Sequence, residues 1–354
     1  MPVTPLRTRR VRGGLALAVA AALLLTGCAG DAGGASTSPS AVAEDALLPA
    51  AEGGTTYPLT LSSPYGESVI PERPVRVATV GANAMDTELL LALGGIPVTA
   101  SGLGFDKAPW LSEIAGDRIE TVFELASWDE YPYEAIAAAE PDVIVAFGYD
   151  LTEVFDKLSA IAPVVTSEDE WTGYFSNPWQ ENITILGEAL DLSGAAEGVI
   201  DTYDARIETI REAHPEFDGK TLSYTVWFGS ERGLSYQSLP DSIISDVFGG
   251  IGFTLPDGAG SFSETQTVSN ELLGDIDADV VVVHGSQNAT DATADSIPGL
   301  TDSAVFQGLG AWQNGRVVIT ESTSPVGWAM STAGPLGSIV ALDILVPELA
   351  AVLN

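Results

Sequence analysis

Between residues 193 and 214 the apolar positions Ala195, Val199, Ile200, Tyr203, Ile207 and Ile210 recur at spacings of three and four. That is one stripe of an amphipathic helix. Ser193 is its expected N-cap, Arg211 and His214 stand where cations suit the C-terminal dipole, and Pro215 stops it. At the helical rise the element is ~30 Å long. No other segment combines this length with so clean a pattern. The stretches on either side resemble each other, so it reads as a rigid strut joining two lobes, residues 57–192 and 215–354.

Before the strut, apolar runs predict strands at 76–80, 96–99, 142–147 and 163–166, and helices at 85–93, 133–139, 151–160 and 182–190. Gly94-Gly95 closes the first helix as a C-cap pair. After the strut the pattern restarts. Strands are expected at 221–228, 253–255, 279–284 and 316–320, and helices at 242–248, 268–273, 335–345 and 347–353. Short continuous apolar strands alternating with helices indicate an α/β fold of mostly parallel sheet covered on both faces.

The two halves repeat in register. Glu134 lies eight residues before Asp142, and Glu271 eight before Asp279. Each Asp opens a Val-rich strand that ends in an aromatic or His followed by Gly, Phe147-Gly148 and His284-Gly285. In open α/β sheets ligands sit beyond the carboxyl ends of the strands, and clefts between lobes are preferred sites. The pattern thus predicts a ligand cleft between two related lobes.

The first residues carry a separate signal. Arg7, Arg9, Arg10 and Arg12 precede an apolar run over 15–25, too short to span a bilayer, which ends in Leu25-Thr26-Gly27-Cys28. This reads as a lipoprotein leader (1–27), with Cys28, the single cysteine, as the lipidated new N-terminus. Residues 28–56 are rich in Gly, Ala, Ser and Thr and are expected to be a flexible tether. No later apolar stretch reads as long enough to span a membrane. The expected location is therefore the outer face of the cytoplasmic membrane.

Charge narrows the partners. The leader removes four of the 14 basic residues, leaving ten against 49 acidic ones. Such a balance disfavours nucleic acid and anionic surfaces, and leaves few cations for a strongly anionic ligand. Chemistry is sparse as well. The chain has no G-x-S-x-G, H-E-x-x-H, C-x-x-C, P-loop or strand-linked G-x-G-x-x-G, and only two histidines. His214 reads as the strut's cap; His284, at a strand end, should face the cleft. No enzyme and no resident metal or cofactor is expected. A cell-surface enzyme, or an adhesion or scaffold lipoprotein, is the alternative from another class.

The leader, the tether, R-V-A-T-V, E-L-L-L-A-L-G-G-I-P-V, Y-E-A-I-A-A-A-E-P-D-V-I-V-A, K-L-S-A-I-A-P-V-V and the single long helix resemble the iron-siderophore (ferrichrome/cobalamin-type) substrate-binding lipoproteins of ABC importers. The resemblance implies a bilobal fold of modest closure. It also implies capture of a ferric siderophore by a monomer that delivers it to a permease, the iron arriving inside the chelate. Carried over by motif, Glu134 and Glu271 would dock on arginines of the transmembrane subunits. Aromatics fall where loops leave strands: Trp110, Trp128, Tyr149, Trp171, Tyr174, Trp227, Tyr236, Trp312 and Trp328. With Arg232 and His284 they are the candidate cleft residues. The scarcity of cations favours a ferric hydroxamate over a tri-anionic catecholate. A haem or cobalamin cargo is the alternative; haem would take His284 or Tyr149 as axial ligand.

Overall fold

The Val-rich runs form buried strands in the computed structural model, which describes residues 46–81, 84–102, 108–125, 131–173, 178–262, 267–286, 289, 297–332 and 334–354. A hairpin of β1 (Leu59–Ser63) and β2 (Gly66–Ile70) leads into the first half. There follow β3 (Val77–Thr79), α1 (Met85–Ala92), β4 (Thr99–Ser101), α2 (Pro109–Ala115), β5 (Thr121–Phe123) and α3 (Tyr133–Ala138). Then come β6 (Val143–Val145), α4 (Phe155–Ser159), β7 (Val164–Val165) and α5 (Trp179–Leu190). The five strands make one parallel sheet in the order β5-β4-β3-β6-β7.

The strut is α6 (Ser193–Ala213), with Tyr203 and Ile210 buried and His214 as its C-cap. The second half contains β8 (Leu222–Trp227), β9 (Leu234–Tyr236), α7 (Ile243–Gly250), β10 (Val280–Gly285), α8 (Pro298–Thr301) and α9 (Gly310–Gln313). It ends with β11 (Val317–Thr320), α10 (Val326–Thr332) and α11 (Pro335–Leu353). Its sheet runs β11-β10-β8-β9, parallel except for β9. The architecture is two α/β units with mostly parallel sheets, linked by one long helix.

Several elements differ from their sequence signals. Glu52, not Ser193, caps α6. Its carboxylate accepts the N–H groups of Gly194 (2.5 Å) and Ala195 (2.9 Å), and Ser193 is already helical. Residues 46–56 are therefore not tether. Leu48 is buried, the Leu47 carbonyl accepts Ile96 N–H, and the Asp191 carboxylate accepts N–H groups from Gly53, Gly54 and Thr55. The Ile96 bond also explains why β4 starts only at Thr99.

Residues 253–255 form a lone bridge, Thr221 to Thr254, and 268–273 form no α-helix. Val268 N–H is drawn instead to the Leu234 carbonyl at 2.7 Å, and a short 3-10 turn, Leu273–Ile276, follows. The last two predicted helices are one. Pro347 lies inside α11, where it costs ~3 kcal/mol, but Leu342, Leu345, Val346 and Leu349 on both sides are buried. Each such side chain returns roughly 1.5–3 kcal/mol. Read whole, α11 is long and apolar enough to cross a membrane, contrary to the pattern reading. It packs instead against α1, α6, α10, β10 and β11 as a helix of the core.

Candidate functional site

In the first sheet the strand order turns between β3 and β6, and their carboxyl ends are joined by one side chain. Asp86 of α1, fully buried, accepts Gly81 N–H at 2.6 Å and Phe147 N–H at 3.0 Å. Burial pushes this acid up to about 7, against the pull of the two N–H groups. Ala84, just before α1, is held at φ 63°, a conformation that costs a non-glycine residue free energy and that concentrates at binding sites. Beyond β6, Gly148 adopts φ 76° and turns the chain into Tyr149, which is almost buried; its carbonyl accepts the Tyr65 hydroxyl at 3.2 Å. Trp171, half-buried, follows β7.

The carboxyl end of the second sheet is built on β8. Trp227 closes that strand, buried, with its ring against Gly299 at the start of α8. A tight turn follows, in which Gly233 N–H reaches the Gly229 carbonyl at 2.7 Å. It exposes Arg232 and lays its guanidinium over the Phe228 ring, 4.4 Å from the centroid. Other basic side chains are already engaged: Arg76, Arg206, Arg211, Lys220 and Arg316 by carboxylates, Arg73 by the carbonyls of Leu190 and Pro49. Among the described residues no carboxylate pairs with Arg232.

Four sequence candidates are taken up by packing. Tyr236 is fully buried and stacked on Phe262 at 4.5 Å, because all three residues of β9 are enclosed. Trp312 packs edge-on against Phe306 at 5.6 Å, on the helix that enters β11 at its amino end, the wrong edge of the sheet. Trp110 is buried on α2, beside the Glu88 carboxylate. His284 sits at the expected strand end but turns inward. Its Nδ1 bonds to Thr320 Oγ1 at 2.8 Å, and its Nε2 edge is packed against Gly327. Burial holds the imidazole down at about 4, so it is neutral. Trp328, half-buried, packs from α10 onto the core. Trp128, Tyr174 and Cys28 fall outside the described residues.

Glu134 and Glu271 are both exposed. Glu134 stands in the first turn of α3, which follows the carboxyl end of β5. Glu271 follows Thr267, which bridges to Ser235, the partner of Val226 near the carboxyl end of β8. Each thus belongs to the strand-end side of its own unit.

A model of the periplasmic binding protein family matches residues 80–323. The chain belongs to that family. It is 28% identical over 219 residues to the probable siderophore-binding lipoprotein YfiY of Bacillus subtilis, covering 60% of this chain and 64% of that protein, a little under two thirds of its length. Among solved structures it resembles a periplasmic solute binding protein from Mycobacterium smegmatis, with TM-score 0.68 and 27% identity over 84% of this chain and 99% of that one. It also resembles Streptococcus pneumoniae PiaA in complex with ferrichrome, with TM-score 0.66 and 25% identity over 83% and 98%.

This is a family of binding proteins, and the chemistry of the strand ends is of that kind. Among the described residues, aromatic faces, the Arg232 guanidinium and a pinned backbone floor provide contact surface and a charge. Among the described residues no group of three or more His, Cys, Asp or Glu is placed to hold a metal ion.

Proposed function

We propose that this protein is the solute-binding component of an ABC importer that captures a ferric siderophore, of hydroxamate type, and delivers it to the permease. The observation that carries the reading is Arg232, an exposed cation without a carboxylate, laid over Phe228 beside Trp227 at the strand ends. One such charge suits a chelate of low net charge better than a tri-anionic catecholate. The fold shared with ferrichrome-bound PiaA supports the same class of cargo. Iron would enter as part of the chelate, with the chelator supplying its ligands. Of the two axial candidates for haem, His284 is buried and already bonded to Thr320, which leaves that reading resting on Tyr149.

In this reading Cys28 carries the lipid that holds the monomeric receptor on the outer face of the cytoplasmic membrane, and Glu134 and Glu271 meet the permease. The test is a tryptophan-fluorescence titration of the chain lacking residues 1–28 with ferrichrome, a ferrioxamine, a ferric catecholate, haem and cobalamin. Saturable quenching by a ferric hydroxamate, absent with the iron-free chelator, is the expected result. Binding of haem or cobalamin alone replaces the cargo, and binding of none of the panel overturns the proposal.

A further inference from the structure

We infer that Glu88 is a positioning residue for ligand capture, holding the two halves in register by capping, from the first half, the last helix of the second. Three consecutive residues of α1 are fully buried and polar, and each reaches a different structure. Asp86 pins the ends of β3 and β6. Thr87 Oγ1 bonds to Thr79 Oγ1 at 2.7 Å. Glu88 leaves its own half: its Oε1 accepts the N–H groups of Leu336 and Gly337, each at 2.9 Å, across 248 and 249 residues of sequence.

Those two N–H groups belong to the first turn of α11, where helical donors have no partner of their own and the macrodipole is positive. A buried carboxyl is costly unless it is hydrogen-bonded, so Oε1 of the acid and the helix end stabilise each other only when they meet. The sequence makes room for the meeting. A Cβ at Gly334 would run into the Glu88 carboxylate, and one at Gly337 into Thr332 Oγ1 and the Ala329 carbonyl. Thr332 and Trp110 stand beside the same carboxylate.

The contacts continue into the second half. Thr332 ends α10, and Gly327 near its start is the surface on which His284 rests, with Thr320 on the other ring nitrogen. A continuous run of packed and hydrogen-bonded groups therefore joins the strand ends of one half (Gly81, Phe147) to those of the other (His284, Thr320), and Glu88 is its crossing point. The strut sets how far apart the halves stand, and α1 and α11 share one apolar core; within that contact Glu88 adds a directional attachment that resists rotation about the strut.

The test uses the chain beginning at Ala29, which lacks Cys28, with spin labels on cysteines introduced at the exposed positions Glu113 and Asp302. Glu88→Gln keeps an acceptor oxygen and should preserve both the inter-label distance distribution and ferrichrome affinity, within about twofold. Glu88→Ala should widen the distribution and weaken ferrichrome by about tenfold, equivalent to ~1.4 kcal/mol. A parent-like distribution in Glu88→Ala, or one equally widened in Glu88→Gln, overturns the inference. Should Glu88→Ala fail to fold, Gly334→Ala displaces the carboxylate without removing it and must widen the distribution; a parent-like result there overturns the inference as well. The affinity arm rests on the siderophore reading, whereas the distance arm is independent of it, so the two failures are distinguishable.

Discussion

Asp142 and Asp279 make the same bond in the two halves. Each carboxylate stands at the start of one strand and accepts the backbone N–H that leads into the parallel strand beside it: Val75 and Arg76, before β3, for Asp142, both at 2.9 Å, and Thr221, before β8, for Asp279 at 3.1 Å. The eight-residue register seen in the sequence is therefore a structural repeat at its Asp positions. Hydrogen bonds to charged groups contribute ~1.5–3 kcal/mol. Asp279→Ala, which also frees Lys220 and Arg316, should lower the thermal midpoint more than Asp142→Ala. Equal melting of both variants and parent would contradict this.

A chain starting at Tyr57 should be less stable than one starting at Ala46. It loses the cap on α6, the donors to Asp191 and the burial of Leu48. The cap is worth ~1 kcal/mol and the leucine ~2 kcal/mol, so the loss should be at least ~3 kcal/mol, with the Asp191 bonds adding to it. Denaturant titration of the two chains checks it; Glu52→Ala alone should cost ~1 kcal/mol.

Two buried groups should give opposite pH trends. Asp86 is raised from 3.8 to about 7, so its contribution to stability is full below pH 3.8 and lost as pH rises through about 7. His284 is lowered from 6.5 to about 4, so its contribution is full above pH 6.5 and lost as pH falls through about 4, worth about 3 kcal/mol. Melting curves from pH 4 to 8 should lose their alkaline decline in Asp86→Asn and part of their acid decline in His284→Gln. Profiles parallel to the parent in both variants would refute the assignments.

Replacing Arg232 by Ala should weaken ferrichrome by about tenfold, or ~1.4 kcal/mol, and leave the melting temperature in place, because the side chain is exposed. A coincident loss of stability would point to a structural role instead.

The pair Glu134→Ala with Glu271→Ala should leave ligand affinity intact and lower iron uptake by whole cells. Unchanged uptake would remove these residues from the permease interface.

What the sequence made legible was periodic. The stripe of α6, the Gly94-Gly95 closure, at which Gly94 and Gly95 donate to the Leu91 and Leu90 carbonyls, and the buried valines of β10 all carry a local signal. Contacts made through backbone N–H leave none, which is why residues 46–56 read as tether and Ser193 as a cap. Pro347 misled for another reason: packing on both sides outweighed a strong local preference. At the candidate site, position along a strand was readable but orientation was not. His284 lies at the strand end as expected, yet turns toward Thr320, and Tyr236 is enclosed by Phe262. Glu88 was passed over entirely, since its partners are main-chain groups nearly 250 positions away.

The attachment of Glu52 to α6 has a mechanical consequence. A pull on the chain ahead of Ala46 would be taken first by buried Leu48 and by the bond between the Leu47 carbonyl and Ile96 N–H, and next, through Glu52, by the first turn of the strut and by the corner at Asp191. The strut would thus feel, across 142 residues of sequence, a load applied at the other end of its half.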